Sequence, residues 1–309
     1  MAKKSKLQIN LEYYAVWAVF NFLGIFPRKF AIFLSVKFFD AAYLFAGKLK
    51  KIGMQNTKIA FPEKSEDERR KLVKGCFENL GRQLGEISQF PKATRESLEG
   101  FVELSVGLDK WEGYQEAKKE GRGLIFMTPH FGGWEVLAFA SILYIGPQSY
   151  LVRRLDNPRL EKMLAEIRGK FGNKPLDKST AIMPALTLLR SGGNLGVLPD
   201  LNSQKHEGVF VPFFGVQACT TAGVAALAMR TNAVVVLLSA AWDEEKHKYI
   251  IRSDAVLEFE NSGDRKQDMV DFTARFTKEV ENVIRRNPEQ WFWIHKRWKT
   301  RPEGEPDIY

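Results

Sequence analysis

A chain of 309 residues, 45% hydrophobic and 27% charged, has the apolar content to bury a sizeable core, which excludes a disordered polar chain. Its two cysteines, Cys76 and Cys219, form no C-x-x-C pair, so neither a disulfide framework nor a zinc site is implied, and a reducing compartment suits them. The net charge of +9 resides entirely in the first 75 residues and favours an anionic partner: nucleic acid, anionic lipid or an acidic protein.

Residues 13–27 carry no charge and include Tyr13, Tyr14, Trp17, Phe20, Phe22 and Phe26. Arg28 and Lys29 interrupt, and a second apolar stretch covers 30–47, broken by Lys37 and Asp40. A spanning helix needs about 20 apolar residues, and the first run falls short. A secretory leader would need a small-residue cleavage site, which the Phe26-Pro27-Arg28-Lys29 junction does not offer. The pattern predicts two aromatic-rich helices joined near Pro27 and edged by Lys and Arg, a composition suited to the interface of an anionic membrane. A hairpin buried in the globular core, or a short tilted span, accounts for the same residues.

Further along, Ser65 and Glu68 form a capping-box pattern opening a helix to about Gln89, with Pro91 beyond it. Residues 101–107 alternate like a strand, 108–120 read as a helix, and 123–128 as a buried strand. A turn and a helix to about 144 follow. Strands are predicted at 149–152, 195–198, 234–241 and 249–257, with an apolar segment at 209–214. Helices are predicted at 157–171, 181–190, 220–231 and 266–286, the first with Pro158 suited to an opening turn. Short apolar strands alternating with helices give an α/β fold with a mixed central β-sheet flanked by helices. No repeat or linker divides it, so residues 51–309 read as one catalytic domain behind membrane-associating helices in 1–50.

The most informative segment is Pro129-His130-Phe131-Gly132-Gly133-Trp134-Glu135. A buried strand delivers His130 into a tight turn, where Gly132 and Gly133 permit unusual backbone conformations. Glu135, five positions on, is placed to fold back on the imidazole. A carboxylate on one ring nitrogen leaves the other as a general base. Among the four histidines only His130 has an acid at that distance; a helix-capping structural role is the bland alternative. Neither a G-x-S-x-G elbow nor a P-loop is present. Trp291, Trp293 and Trp298 interleave with Arg297 and Lys299 as in some single-strand binders, but no nucleic-acid module surrounds them. They read instead as a packed C-terminal strand with basic flanks, Arg297 meeting lipid phosphates.

The His130–Glu135 block resembles the H-x4-D/E motif of the lysophospholipid acyltransferase superfamily, and its filling is similar to the late acyltransferases of lipid A biosynthesis (lauroyl and myristoyl transferases). Further blocks fit in order: Ala60-Phe61-Pro62-Glu63, Arg153-Arg154-Leu155-Asp156-Asn157-Pro158, Leu198-Pro199-Asp200, Val211-Pro212-Phe213-Phe214-Gly215 and the segment from Pro288 to Lys299. The chain departs from the pattern with Gly133 where many members have Asn, Val152 for Tyr, Arg154 for Pro, and Leu201 after Asp200 where Gln is common.

The resemblance implies a glycerolipid-acyltransferase-like fold and transfer of a fatty acyl chain from acyl carrier protein to a hydroxyl of a lipid A precursor. It implies neither metal nor cofactor, and a place on the cytoplasmic face of the inner membrane. His130 would be the base and Glu135 its orienting partner. Arg153 is the candidate cation for a phosphate or the oxyanion, and Asp200 would order Arg153 or the acceptor. Gly132 and Gly133 would border the substrate, while Phe213 and Phe214 would wall an acyl channel. Partners would be acyl carrier protein, an anionic glycolipid acceptor and the membrane surface, with no nucleic acid. Another glycolipid such as a phosphatidylinositol mannoside, acyl-CoA as donor, or a non-catalytic lipid-binding homologue are the alternatives.

Overall fold

The structure is a computed structural model that describes residues 4–105 and 111–309. Three helices open the chain: α1 (Lys6–Ile25), α2 (Arg28–Phe45) and α3 (Gly47–Ala60). Pro27 separates the first two, with its fixed φ of −60° and extended ψ. Helix α4 (Glu66–Ile87) starts at the predicted capping box, in which Ser65 and Glu68 bond each other's backbone N–H. Gly81 and Gly85 let α4 cross α2 backbone to backbone: a Cβ on either would lie 2.6–2.7 Å from a Cα of α2.

Among the described residues the remaining α-helices and strands are α5 (Arg95–Leu98), β1 (Val102–Leu104), α6 (Trp111–Lys119), β2 (Leu124–Met127), α7 (Trp134–Ala140), β3 (Ser149–Val152), α8 (Pro158–Arg168), β4 (Lys174–Asp177), α9 (Ile182–Arg190), β5 (Asn194–Val197), β6 (Gly208–Phe213), β7 (Val216–Thr221), α10 (Gly223–Thr231), β8 (Val234–Asp243), β9 (Lys248–Leu257) and α11 (Arg265–Arg286). Seven strands form one sheet in the order β1-β9-β8-β2-β5-β3-β4. All neighbours are parallel except the β8–β9 pair, which makes the sheet mixed, as expected. The sequence expectations for 106–110 lie outside the described residues.

Strand β2 is central and wholly buried, because helices cover both faces of a parallel sheet. Its side chains alternate between two cores. Ile125 and Met127 join Val235, Leu237, Phe276 and the three C-terminal tryptophans on one face. Leu124 and Phe126 join Val234, Val236, Phe139 and Tyr249 on the other.

Two strands escaped the sequence reading. β4 is an exposed edge strand containing Pro175, with no apolar alternation to reveal it. β7 pairs with β6 in a separate hairpin and takes Thr220 and Thr221, predicted as helical, before α10 begins at Gly223. The C-terminal block forms no strand beyond a single bridge between Phe131 and Trp291. Trp291, Trp293 and Trp298 are fully buried.

Among the described residues no single helix is long and apolar enough to cross a membrane; α2 and α3 together pass by length and composition but are bent by 91°. Helix α1 buries only Leu23 and Gly24. Large hydrophobic side chains left exposed among the described residues, Leu155, Ile182 and Met183 excepted, all lie on α1, α2 and α3.

Candidate active site

The carboxyl ends of β2, β5, β3 and β4 lie along one sheet edge, where open α/β sheets place their ligands. His130 leaves β2, Asp200 leaves β5, Arg153 leaves β3 and Lys178 leaves β4. The turn after β2 is locked through its backbone. Gly132 has φ +52° and bonds its N–H to the Gln290 carbonyl, and Gly133 donates to the Ala240 carbonyl. The Gly132 carbonyl accepts from the Asn79 and Gln83 amides of α4, at 3.0 and 2.8 Å.

Asp200 holds the His130 imidazole. Its Oδ1 lies 2.8 Å from His130 Nδ1, and its Oδ2 accepts the His130 backbone N–H and the Trp291 indole N–H, both at 2.8 Å. A carboxylate only accepts, so Nδ1 carries the proton and Nε2 presents its lone pair. The Asp200 side chain is fully buried, while the imidazole remains 22% exposed. Burial alone would raise the Asp200 carboxyl, but the imidazole charge and the converging N–H donors hold it below its ordinary value. Trp134 and Phe292 flank the imidazole with ring centroids at 5.5 and 6.1 Å.

Glu135 is not at the imidazole, contrary to expectation. Trp134, the first residue of α7, turns its ring to His130; Glu135, one residue and 100° further round, meets α8. There Arg168 grips both its oxygens, Nε to Oε2 at 2.9 Å and Nη2 to Oε1. Asp200 likewise does not order Arg153, since its oxygens are taken by His130 and Trp291. Arg153 is exposed and forms no salt bridge among the described residues. It leaves the second strand over from β2, about 10 Å away at ordinary strand spacing, which places it better for a phosphate than for an oxyanion at His130.

Three other expectations change. The N–H groups of His130, Phe131, Gly132 and Gly133 all have partners, so Gly132 and Gly133 shape the turn rather than bind substrate through their amides. Phe213 and Phe214 are core residues at 0% and 6% exposure, packed on Trp291, Trp298, Phe61 and Trp293, and wall no open channel. Arg297 is fully buried and meets no lipid. Its guanidinium donates to the Cys219 carbonyl at 2.9 Å and Thr220 Oγ1 at 2.5 Å and lies over the Phe213 ring, and burial lowers its ordinary pKa to about 10.

The sequence reading missed His295, which shares the electrostatics of Asp200 and His130. Burial, against the opposing pull of Asp200 and with His130, Arg297 and Lys299 adding, lowers it to about 4, so it is neutral at pH 7. It also missed Trp291 as the second donor to Asp200.

An α/β sheet carrying an imidazole held in one tautomer by a buried carboxylate, at its carboxyl edge, is the arrangement of a general-base enzyme. Residues 1–300 match the family model for the bacterial lipid A biosynthesis acyltransferase, and the chain belongs to that family of acyltransferases. It is 26% identical over 311 residues to a lipid A biosynthesis acyltransferase of Haemophilus influenzae, covering 96% of this chain and 91% of the relative. It is 29% identical to the lipid A biosynthesis lauroyltransferase of Escherichia coli (87% and 85% covered) and 26% identical to the myristoyltransferase of the same organism (86% and 81%).

Proposed function

We propose that the protein transfers a fatty acyl chain from acyl carrier protein to a hydroxyl of a lipid A precursor, working on the cytoplasmic face of the inner membrane. The observation that carries this is the Asp200-held imidazole at the sheet edge, in a chain of this family. The acyl donor is a thioester, already activated, so a base alone suffices. His130 Nε2 takes the acceptor hydroxyl proton as the oxygen attacks the thioester carbonyl. The C–O bond forms, the C–S bond breaks as the tetrahedral intermediate collapses, and the imidazolium returns the proton to the departing sulfur. The turn's own amides being paired, the oxyanion takes its donors from elsewhere in the assembled site.

The surroundings favour a lipid acceptor. Arg153, exposed and without a salt bridge among the described residues, offers a cation for a phosphate at the edge that carries His130. Leu155 stands two positions on, and Ile182 and Met183 begin the helix after β4; these exposed apolar side chains come from the loops and helix that follow β3 and β4. Helix α1 meets α8 just beyond, so its apolar side chains extend that surface for membrane docking.

The test is transfer of a labelled acyl group to a lipid A precursor in mixed micelles, with acyl carrier protein and CoA thioesters compared as donors. Transfer from the carrier protein, lost in His130→Ala with folding intact, is expected. Full activity in that variant overturns the base assignment; preference for CoA overturns the donor.

A further inference from the structure

Helix α3 carries four lysines and no acidic residue. Lys50 is engaged: its ammonium donates to the Leu44 carbonyl at 3.0 Å and lies 5.0 Å from the centroid of the Tyr43 ring. Lys48, Lys51 and Lys58 are exposed and form no salt bridge among the described residues. With Gln55, also exposed, they recur every three or four residues and so make one stripe, about 15 Å long from Lys48 to Lys58. The other side of the helix is buried through Ile52, Gly53, Asn56, Thr57 and Ala60. It packs closely on α4, where a Cβ on Gly53 would lie 2.8 Å from the Val73 side chain.

The helix itself gains nothing from this stripe. Lys48 stands in the first turn, against the partial positive charge of the amino end, with Lys51 just beyond it and no acid to offset either. A local rule broken without a compensating contact marks a surface kept for another purpose. Three unpaired cations in a row call for an anionic partner. A helix that lies in a bilayer sets apolar side chains beside its cations. Among the described residues the only large hydrophobic side chain exposed on α3 is Leu49, in the first turn; the face beyond it is Lys51, Gln55 and Lys58. The exposed Leu44 and Phe45 belong to α2, across a bend of 91°. An acidic protein surface fits such a polar, cationic face better than lipid does.

The stripe is also fixed relative to the base. From the buried side of α3, Asn56 Nδ2 donates to the carbonyls of Trp293 and His295 at 2.6 and 2.7 Å. In the same tail segment the Phe292 N–H donates to the His130 carbonyl at 3.0 Å, and the Phe292 ring flanks the imidazole. One helix diameter, about 10 Å, therefore separates the lysines from the segment that seats His130. We infer that Lys48, Lys51 and Lys58 form the docking surface for an acidic protein, and that this protein is the acyl carrier of the proposed reaction. The inference rests on that reading of the donor. Complementary charge would steer the encounter and hold the carrier beside the tail while its tethered thioester enters the site.

The test uses the full-length protein in detergent micelles and fluorescently labelled holo-acyl carrier protein, with affinity read by anisotropy. Lys48→Glu, Lys51→Glu and Lys58→Glu combined should weaken binding at least about 30-fold, by loss of three pairs and gain of repulsion. Each single Lys→Gln change should cost about two- to five-fold, the scale of one exposed pair. Added salt should weaken wild-type binding steeply and the triple variant's much less. With the acylated carrier as donor, kcat/KM should fall by the same factor, through KM. Flotation on vesicles of phosphatidylglycerol and phosphatidylethanolamine in equal parts should be unchanged. Unaltered carrier affinity in the triple variant overturns the inference, and a fall in flotation in its place assigns the stripe to the membrane. If the triple variant does not fold, the single variants decide. A wild type that neither binds the carrier nor takes acyl groups from it defeats the donor reading and the inference with it; a wild type that does both, matched by its variants, defeats the inference alone.

Discussion

His130 and Asp200 occupy equivalent places on adjacent strands. Met127 is in register with Val197 across the parallel β2–β5 pair, and each site residue stands three positions further on, immediately after a proline. Pro129-His130 and Pro199-Asp200 thus leave the sheet side by side, which puts the carboxylate 2.8 Å from the imidazole.

Gly132→Ala should destroy the site. The residue sits at φ +52°, and an added Cβ would lie 1.9 Å from the Ala240 carbonyl oxygen, a backbone atom of the central sheet. The strand cannot yield, so a loss of more than about 3 kcal/mol is expected, measured by urea unfolding. The control is Gly47→Ala at the start of α3, where nothing lies within 4 Å: a change within about 1 kcal/mol, and toward stability, is expected.

Much of this geometry is legible in the sequence, and the failures are instructive. The buried strand before His130 shows in its unbroken apolar run, and α8 in Asn157-Pro158, because both signals are local. Spacing along the chain could not decide the partner of His130. Glu135 is near in sequence, but one helical step turns it toward Arg168. Asp200 is 70 positions away and comes adjacent only through strand order, which periodicity does not encode. Arg297 misled for a related reason. Its basic neighbours Lys296 and Lys299 look like a surface run, but the tight tail turns Arg297 inward beneath the β6–β7 hairpin.

That burial gives a second prediction. Arg297→Met keeps most of the side-chain volume but removes the guanidinium donors to Thr220 Oγ1 and to the Cys219 carbonyl, which keeps the Ser203 N–H. A stability loss of about 2–4 kcal/mol is expected. Binding to anionic vesicles, measured by flotation, should be unchanged in the folded fraction. Weaker flotation with unaltered stability would return Arg297 to the lipid surface.

His295 makes stability depend on pH. Its unfolded value is near 6.5 and its folded value about 4, so below pH 6.5 the unfolded chain binds more protons than the native one. Its contribution is therefore intact above pH 6.5 and lost progressively toward pH 4, by roughly 3 kcal/mol. The Asp200 contribution falls away at lower pH, because its folded value is depressed below 3.8. Urea unfolding at pH 7 and 4.5 should show this loss in the wild type and a smaller one in His295→Gln. Equal losses in both would place the acid sensitivity elsewhere.

Asn157 permits a cleaner separation, because its two side-chain atoms serve different elements. Oδ1 caps α8 at the Arg159 and Leu160 N–H groups, whereas Nδ2 donates to the Ile9 carbonyl and Glu12 Oε2 of α1. Asn157→Asp retains a helix cap and replaces the donor with a carboxylate oxygen facing a carbonyl and a second carboxylate. The cap should hold while α1 detaches from α8. Hydrogen exchange should rise through α1, whose remaining buried residues are only Leu23 and Gly24, and stay near wild type in α8. Asn157→Ala, which loses both functions, should raise exchange in both helices. If α1 exchange does not change in Asn157→Asp, the contact with α8 is not what holds the N-terminal helix in place.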